Sequence, residues 1–176
     1  MIGNNLSKAF DRVDHNIVIN KFIKLGVRTS LIPWIASFLS NRLQAVRYNG
    51  VLSTWETLQA GVPQGTKIGP ISFLVMINDF APSQLGINHY KYVDDLTLCQ
   101  TFSDLNECSN LQGELNRLQQ WSDSNKMKLN PAKCQYMNIC FQRNPAHIPP
   151  FVISDFQIQQ TECMKLLGVY IQSDLK

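Results

Sequence analysis

Charge is scarce in this chain. Lys and Arg number 16 and Asp and Glu 13, together 16% of 176 residues, for a net charge of +3. That balance permits nucleic-acid binding without demanding it. Set against 44% hydrophobic residues, so little charge excludes a disordered chain and predicts one well-buried core. Histidine is scarcer still: His15, His89 and His147 stand apart, and none is assigned a role. The five cysteines (99, 108, 134, 140 and 163) form no CxxC pair, cluster with no histidine and are odd in number. A zinc site or a disulfide framework is therefore not expected, and a reducing compartment is. No stretch approaches the roughly 18 apolar residues of a membrane span. The basic-then-apolar pattern of a secretory leader is missing after Met1. The expectation is a soluble, intracellular protein of the nucleus or cytoplasm with no membrane partner.

What is present reads as a mixture of helices and hairpins. Residues 1–6 are a short extended piece. Asp14 can cap a helix running to Leu25, with Ile17, Val18, Phe22 and Leu25 at helical spacing and Gly26 as the stop. A second helix spans residues 30–41, with Pro33 in its first turn and Trp34, Ile35, Phe38 and Leu39 inside. The period then changes to two, and residues 43–48 and 52–58 flank Asn49-Gly50, a strong hairpin signal. Residues 61–66 form a loop that opens a helix near Pro70, running to about Phe80, apolar on nearly every side and so expected to be buried. Residues 89–93 and 96–100 make another hairpin. A long amphipathic helix is predicted over residues 104–125, with Leu105, Cys108, Leu111, Leu115, Leu118 and Trp121 on one stripe. Residues 134–141 look like a strand, and residues 151–171 like short strands with a turn at Ser154-Asp155. The whole predicts an α+β fold, an antiparallel sheet with helices packed on one face. The expected boundaries are a core over residues 1–143, a proline-containing connector over 144–150, and terminal strands over 151–176.

Tyr92-Val93-Asp94-Asp95 carries the most chemistry. Adjacent carboxylates on a hairpin turn repel unless a cation sits between them, and Mg²⁺ is the hard ion that oxygen ligands favour. Asp is also a common turn residue, so the pair alone decides little. It stands, however, in an ordered series. Leu6-Ser7-Lys8-Ala9-Phe10-Asp11-Arg12-Val13-Asp14-His15 comes first. Gly61-Val62-Pro63-Gln64-Gly65-Thr66 follows, continuing through Gly69-Pro70 to Asn78-Asp79. The Asp-Asp hairpin comes next, then Leu129-Asn130-Pro131-Ala132-Lys133-Cys134, then Lys165-Leu166-Leu167-Gly168-Val169. The series covers nearly the whole chain and resembles the palm domain of a reverse transcriptase, an RNA-directed DNA polymerase, in particular that of non-LTR retrotransposons.

The resemblance implies two-metal nucleotidyl transfer, in which Mg²⁺ or Mn²⁺ ions clamp the attacking and leaving oxygens. It implies an RNA template, a DNA primer and a deoxynucleoside triphosphate as partners. Asp94 would bind metal with Asp95 beside it, and Lys133 could protonate the leaving pyrophosphate. Phe10 would be the gate beneath the sugar, Gln64 and Gly65 would lie at the incoming nucleotide, and Lys165 and Gly168 would belong to the primer-grip strands at the palm and thumb junction. Each has a structural alternative: Phe10 as core, Gln64 and Gly65 as helix entry, Lys133 as a solvated lysine. Asp11 and Asp14 read as cap and salt-bridge residues.

The chain departs from the family in one telling place. The family's other catalytic aspartate lies five residues before the gate aromatic, and here that position is Asn5. An amide offers a metal one weak carbonyl oxygen in place of an anion; a lost charge of this kind costs about 3–4 kcal/mol at a transition state. The Met1-Ile2-Gly3-Asn4 segment also reads as too short and too polar for a central strand, and fingers and thumb are expected to be largely missing. The expectation is a palm-only piece that is inactive or weakly active. The alternatives are a catalytically dead nucleic-acid-binding remnant or a retroelement fragment without function.

Overall fold

The computed structural model describes residues 1–84, 86–102, 108–141 and 148–175. They form two compact units, one of residues 1–7 and 80–176, the other of residues 8–79, so the second unit is a continuous excursion from the first.

The first unit opens with β1 (Ile2–Asn5). The chain then builds the second unit. Asp14 caps α1 (His15–Lys24), its carboxylate accepting from the Ile17 N–H at 3.0 Å, and Gly26 follows with φ +78°. Three residues of 3-10 helix lead into α2 (Ile32–Leu39), which has Pro33 in its first turn. The predicted hairpin is present as two short ladders: β2 (Arg42–Gln44) with β5 (Glu56–Leu58), and β3 (Arg47–Tyr48) with β4 (Val51–Leu52) around the Asn49-Gly50 turn. The unit ends with α3 (Ile68–Ile77). Val18 and Phe22 of α1, Ile35 and Leu39 of α2, and Phe73 and Met76 of α3 form its buried apolar set. Lys21, on the same helix face, is buried as well; its ammonium is held by the Met76 carbonyl and by the Asp79 carboxylate at 2.7 Å. Two expectations fail here. Trp34 is exposed, stacked on Phe38 with centroids 6.0 Å apart. α3 leaves Ile71 and Leu74 exposed, because only the face carrying Gly69, Ser72, Phe73 and Met76 is covered.

Back in the first unit, β6 (Ile87–Tyr92) and β7 (Asp95–Gln100) form the Asp-Asp hairpin. α4 (Cys108–Ser124) buries Cys108, Leu111, Leu115 and Leu118, the predicted stripe; its expected start, with Leu105, lies outside the described residues. Trp121 meets Phe80 edge-on at 5.6 Å. Then come β8 (Gln135–Tyr136), β9 (Val152–Ile153) with β10 (Phe156–Gln157) around Ser154-Asp155, β11 (Gln159–Gln160), and the hairpin of β12 (Cys163–Leu166) with β13 (Val169–Gln172). Residues 144–147 of the expected connector also lie outside the described residues. The predicted strand over 134–141 shrinks to two residues, since its ladder with β1 ends at the Met1–Met137 backbone pair.

The five-stranded sheet has the order β11-β8-β1-β7-β6, antiparallel throughout except for the β11–β8 pair. Its middle strand is β1, which corrects the expectation that this segment is too short and polar for that place. Backbone pairing to β7 on one side and β8 on the other satisfies the peptide groups whatever the side chains are. Register is fixed by Ile2 and Leu6, 0% and 7% exposed. A slip of one residue would turn both out to solvent. The cost falls on Asn4, which shares their face, is 3% exposed, and has neither amide atom partnered.

One buried group escaped sequence reasoning. Glu114 sits on the buried face of α4 with no exposure, and its Oε1 accepts from the Ser83 N–H, the Ser83 hydroxyl and the Gln84 N–H, each at 3.0 Å. Arg117 closes an ion pair at 3.0 Å. Burial pushes this carboxyl up, but the bonds from Ser83, Gln84 and Arg117 outweigh it and hold it below the ordinary carboxylate range.

Candidate active site

The β6–β7 hairpin sets the geometry. Tyr92 pairs with Asp95, so the turn itself is Val93-Asp94, two residues long. Val93 takes φ +53°, a conformation that a β-branched residue adopts only under strain. Positive φ at the first turn position alone suits a type II′ turn, which matches strand twist. Asp94 therefore sits at the tip and Asp95 begins β7.

Next to it runs β1. Asn5 pairs with Asp95 across the ladder, and its side-chain amide donates to Asp94 Oδ2 at 3.4 Å and to Asp95 Oδ1 at 3.2 Å. The amide N–H group thus lies between the two carboxylates, where it lessens their mutual repulsion. Electrostatics orients it: the amide oxygen in the same place would face two negative charges. The end of β1 is also tied to the next part of the site. The Asn130 N–H donates to the Asn5 carbonyl at 2.9 Å, and Asn130 leads directly into the 3-10 turn Pro131–Lys133.

On this face lies an open cavity of about 190 Å³, lined by Asn5, Asp95, Lys133, Gln135, Met164 and Lys165 among others. Both lysines are exposed. Lys165 places its ammonium 5.2 Å from the Tyr170 ring centre, across the β12–β13 ladder. Gly168, with φ +87° and open space around it, makes the turn of that hairpin together with Leu167. Gly3 lies on the cavity side of β1, where a Cβ would come within 3.2 Å of the Met164 sulfur. Sequence reasoning missed Gly3, Gln135 and Met164. Period-two counting back from Asn5 would have flagged Gly3.

The remaining predicted residues belong to the second unit. Phe10 is half-buried and stacks on buried Phe73, centroids 4.7 Å apart and planes 24° from parallel. Gln64 and Gly65 are exposed, and Gln64 lines a separate cavity of about 550 Å³ with Asp11, Arg42 and residues 60–63 among others. Asp14 is a helix cap, as expected.

A two-metal clamp needs several anionic oxygens converging on the ions. Among the described residues Asp94 and Asp95 supply them here, and the third position points N–H donors at both. Among the described residues no group of three or more His, Cys, Asp or Glu side chains could hold a metal ion. The donor set present does not fit a two-metal clamp.

Residues 4–171 match the family described as reverse transcriptase (RNA-dependent DNA polymerase). The chain is 27% identical over 178 residues to a probable RNA-directed DNA polymerase from transposon X-element of Drosophila melanogaster. It is 28% identical over 180 residues to the RNA-directed DNA polymerase from mobile element jockey of the same organism. Both are non-LTR elements. In each case 97% of this chain is covered and 19% of the relative, so the chain spans about a fifth of the length of the relatives it matches. Among solved structures, telomerase from Candida albicans, in complex with a TWJ fragment of telomeric RNA, superposes with a TM-score of 0.65 at 13% identity over 99% of this chain and 29% of that one. Apo telomerase from Candida tropicalis gives 0.63 at 16% identity, over 99% of this chain and 34% of that one. The fold is thus polymerase palm-like, and no helix among the described residues is long and apolar enough to cross a membrane. Motif order, fold and sequence match agree: this chain belongs to the reverse transcriptase family.

Proposed function

We propose that this chain is the palm of an RNA-directed DNA polymerase of non-LTR type whose metal clamp has been disabled at a single position, leaving it inactive or weakly active in nucleotidyl transfer. The reaction it descends from joins a deoxynucleotide to a DNA primer on an RNA template with Mg²⁺ or Mn²⁺. The observation that carries the reading is the Asn5 amide bonded to both Asp94 and Asp95. It retains the carboxylate pair and substitutes a neutral donor for the third anion. In this reading Phe10 is the sugar gate, Gln64 and Gly65 meet the incoming nucleotide, and Lys165 and Gly168 belong to primer-grip strands. Residues 1–143 are the palm core, and residues 151–176 follow a connector over 144–150.

Two measurements on the unaltered chain, Asn5→Asp and Asp94→Asn test this. Primer extension on an RNA template with Mg²⁺ and with Mn²⁺ should show the unaltered chain with weak extension or none, well below Asn5→Asp. Mn²⁺ binding, read by electron paramagnetic resonance, should tighten about 100-fold or more in Asn5→Asp, on the scale of one restored charge in such a site. Extension by the unaltered chain as fast as by Asn5→Asp, and abolished in Asp94→Asn, overturns the reading. So does Mn²⁺ binding that Asn5→Asp leaves unchanged.

A further inference from the structure

Within the second unit, the loop that carries Gln64 and Gly65 is tied to the segment that carries Phe10. The Gly61 N–H donates to the Val13 carbonyl at 2.8 Å, and the Val62 N–H donates to the Phe10 carbonyl at 2.9 Å. The Gly61 carbonyl, which belongs to the same peptide group as the Val62 N–H, lies 2.8 Å from Nε2 of His15. A carbonyl only accepts, so the half-buried ring carries a proton on Nε2 and donates it. One peptide group is thus gripped at both ends, its N–H by Phe10 and its C=O by His15. Gly61 has φ +93°, and an added Cβ would stand 3.0 Å from the Asp11 carbonyl oxygen, so backbone runs close to backbone here. Glycine lets an adjoining peptide plane turn more easily than any other residue does, and the two holds oppose that freedom. Further along, the Thr66 hydroxyl donates to the Pro63 carbonyl at 2.7 Å and accepts from the Gly69 N–H at 3.1 Å. The loop is fastened on both sides of Gln64 and Gly65, which are themselves exposed.

We infer that His15 is a positioning residue: its Nε2–H holds the Gly61–Val62 peptide in the orientation that keeps the Gln64 loop in register with Phe10. This rests on the reading that Gln64 and Gly65 meet the incoming nucleotide and that Phe10 gates its sugar, and it adds the group that sets their spacing. His15 acts through the loop backbone. It is the first residue of α1, directly after the Asp14 cap, so a helix rather than a loop places its ring. Without the ring donor, the Gly61 carbonyl could turn toward water. The peptide is planar, so the Val62 N–H would swing away from the Phe10 carbonyl with it. Removing one hydrogen bond would therefore release two, and with them the tie between the loop and Phe10.

The test is amide hydrogen exchange on the full chain, read by NMR. His15→Phe keeps a ring but no donor, and His15→Gln restores a side-chain N–H at about the same reach. The Val62 amide should exchange about tenfold faster in His15→Phe, the scale of one hydrogen bond lost. The amides of the five-stranded sheet should be unchanged, and His15→Gln should exchange as the unaltered chain does. A second arm adds the same substitutions to the Asn5→Asp chain, in which primer extension is expected. There His15→Phe should raise KM for the deoxynucleoside triphosphate about tenfold with kcat little changed, the mark of lost binding, and His15→Gln should return it. A merely structural role would instead reduce the amount of working protein, which lowers apparent kcat and leaves KM alone. Val62 exchange that His15→Phe leaves unaltered overturns the inference, and so does an unmoved KM. If Asn5→Asp itself extends no primer, the reading of a disabled clamp fails, and Val62 exchange alone decides the role of His15.

Discussion

Replacing Asn4 with leucine isolates the cost of one buried amide. Asn4 sits in the middle strand of the sheet, 3% exposed, opposite Leu96 and on the same face as Ile2. Neither its Nδ2 nor its Oδ1 has a hydrogen-bond partner. An unsatisfied buried polar group costs about 1–3 kcal/mol. Asparagine and leucine share the same branched arrangement of side-chain heavy atoms, so the exchange removes the penalty without opening a cavity, and the bulk of two methyl groups is what the neighbours must take up. The expected gain is about 2–4 kcal/mol once the apolar contacts of the new side chain are included. In a chain of this length that raises Tm by roughly 5–15 °C. The assay is urea denaturation followed by circular dichroism. The midpoint should rise with an unchanged slope, because the surface exposed on unfolding hardly alters. Asn4→Asp is the opposing control: an uncompensated charge in the same place should cost about 3–5 kcal/mol. A leucine variant no more stable than the parent would refute the reasoning, and would mean that something, a buried water for example, already satisfies the amide.

Two further predictions concern buried chemistry away from the site. Glu114 titrates below its ordinary range in the folded state, so the unfolded chain binds more protons in acid. Its stabilisation is complete above the unfolded value of about 4.3 and is lost as pH falls through the folded value. Glu114→Gln should therefore lower Tm at neutral pH by the equivalent of about 1–3 kcal/mol, and the gap from the parent should close on acidification below pH about 4; a gap constant across pH would remove the charge from the explanation. Gly61→Ala should destabilise the second unit by about 2 kcal/mol or more, because Gly61 has φ +93° and an added Cβ would stand 3.0 Å from the Asp11 carbonyl oxygen and 3.1 Å from its Cα. A denaturation midpoint unchanged by that substitution would show that the loop simply moves aside.

Much of this fold was legible because local signals agreed with tertiary structure. Asp14 caps where a cap was expected, Asn49-Gly50 turns where a turn was expected, and the stripe from Cys108 to Leu118 faces inward. Motif order singled out Asn5, Asp94, Asp95, Lys133 and Lys165, which come from four separate stretches of sequence, and the first unit gathers them around one hairpin and one cavity. The failures share a cause. Trp34, Ile71 and Leu74 were read as buried because they are apolar, and apolarity states what a residue would gain from cover without showing that cover exists. Glu114 was missed for the converse reason. Its ligands are backbone N–H groups of residues 83 and 84, which no side-chain pattern advertises.

The two adjacent asparagines show how far the strand period carries the argument. Successive side chains of β1 point to opposite faces, so Asn4 goes to the core with Ile2 and Leu6, and Asn5 to the open face with Gly3. The same chemical group is a burden in one position and a working part in the other. Buried and unpartnered, the Asn4 amide only weakens the sheet. Half-exposed between two carboxylates, the Asn5 amide stands in for a cation. The two effects are therefore separable. Asn4→Leu should strengthen folding and leave metal binding as it was, whereas Asn5→Asp should tighten Mn²⁺ binding. Without metal it should also lose stability, since a third carboxylate then joins an already crowded pair. If the two substitutions instead moved the same observable, β1 would be acting as a single flexible unit, and the division of labour between its two faces would not hold.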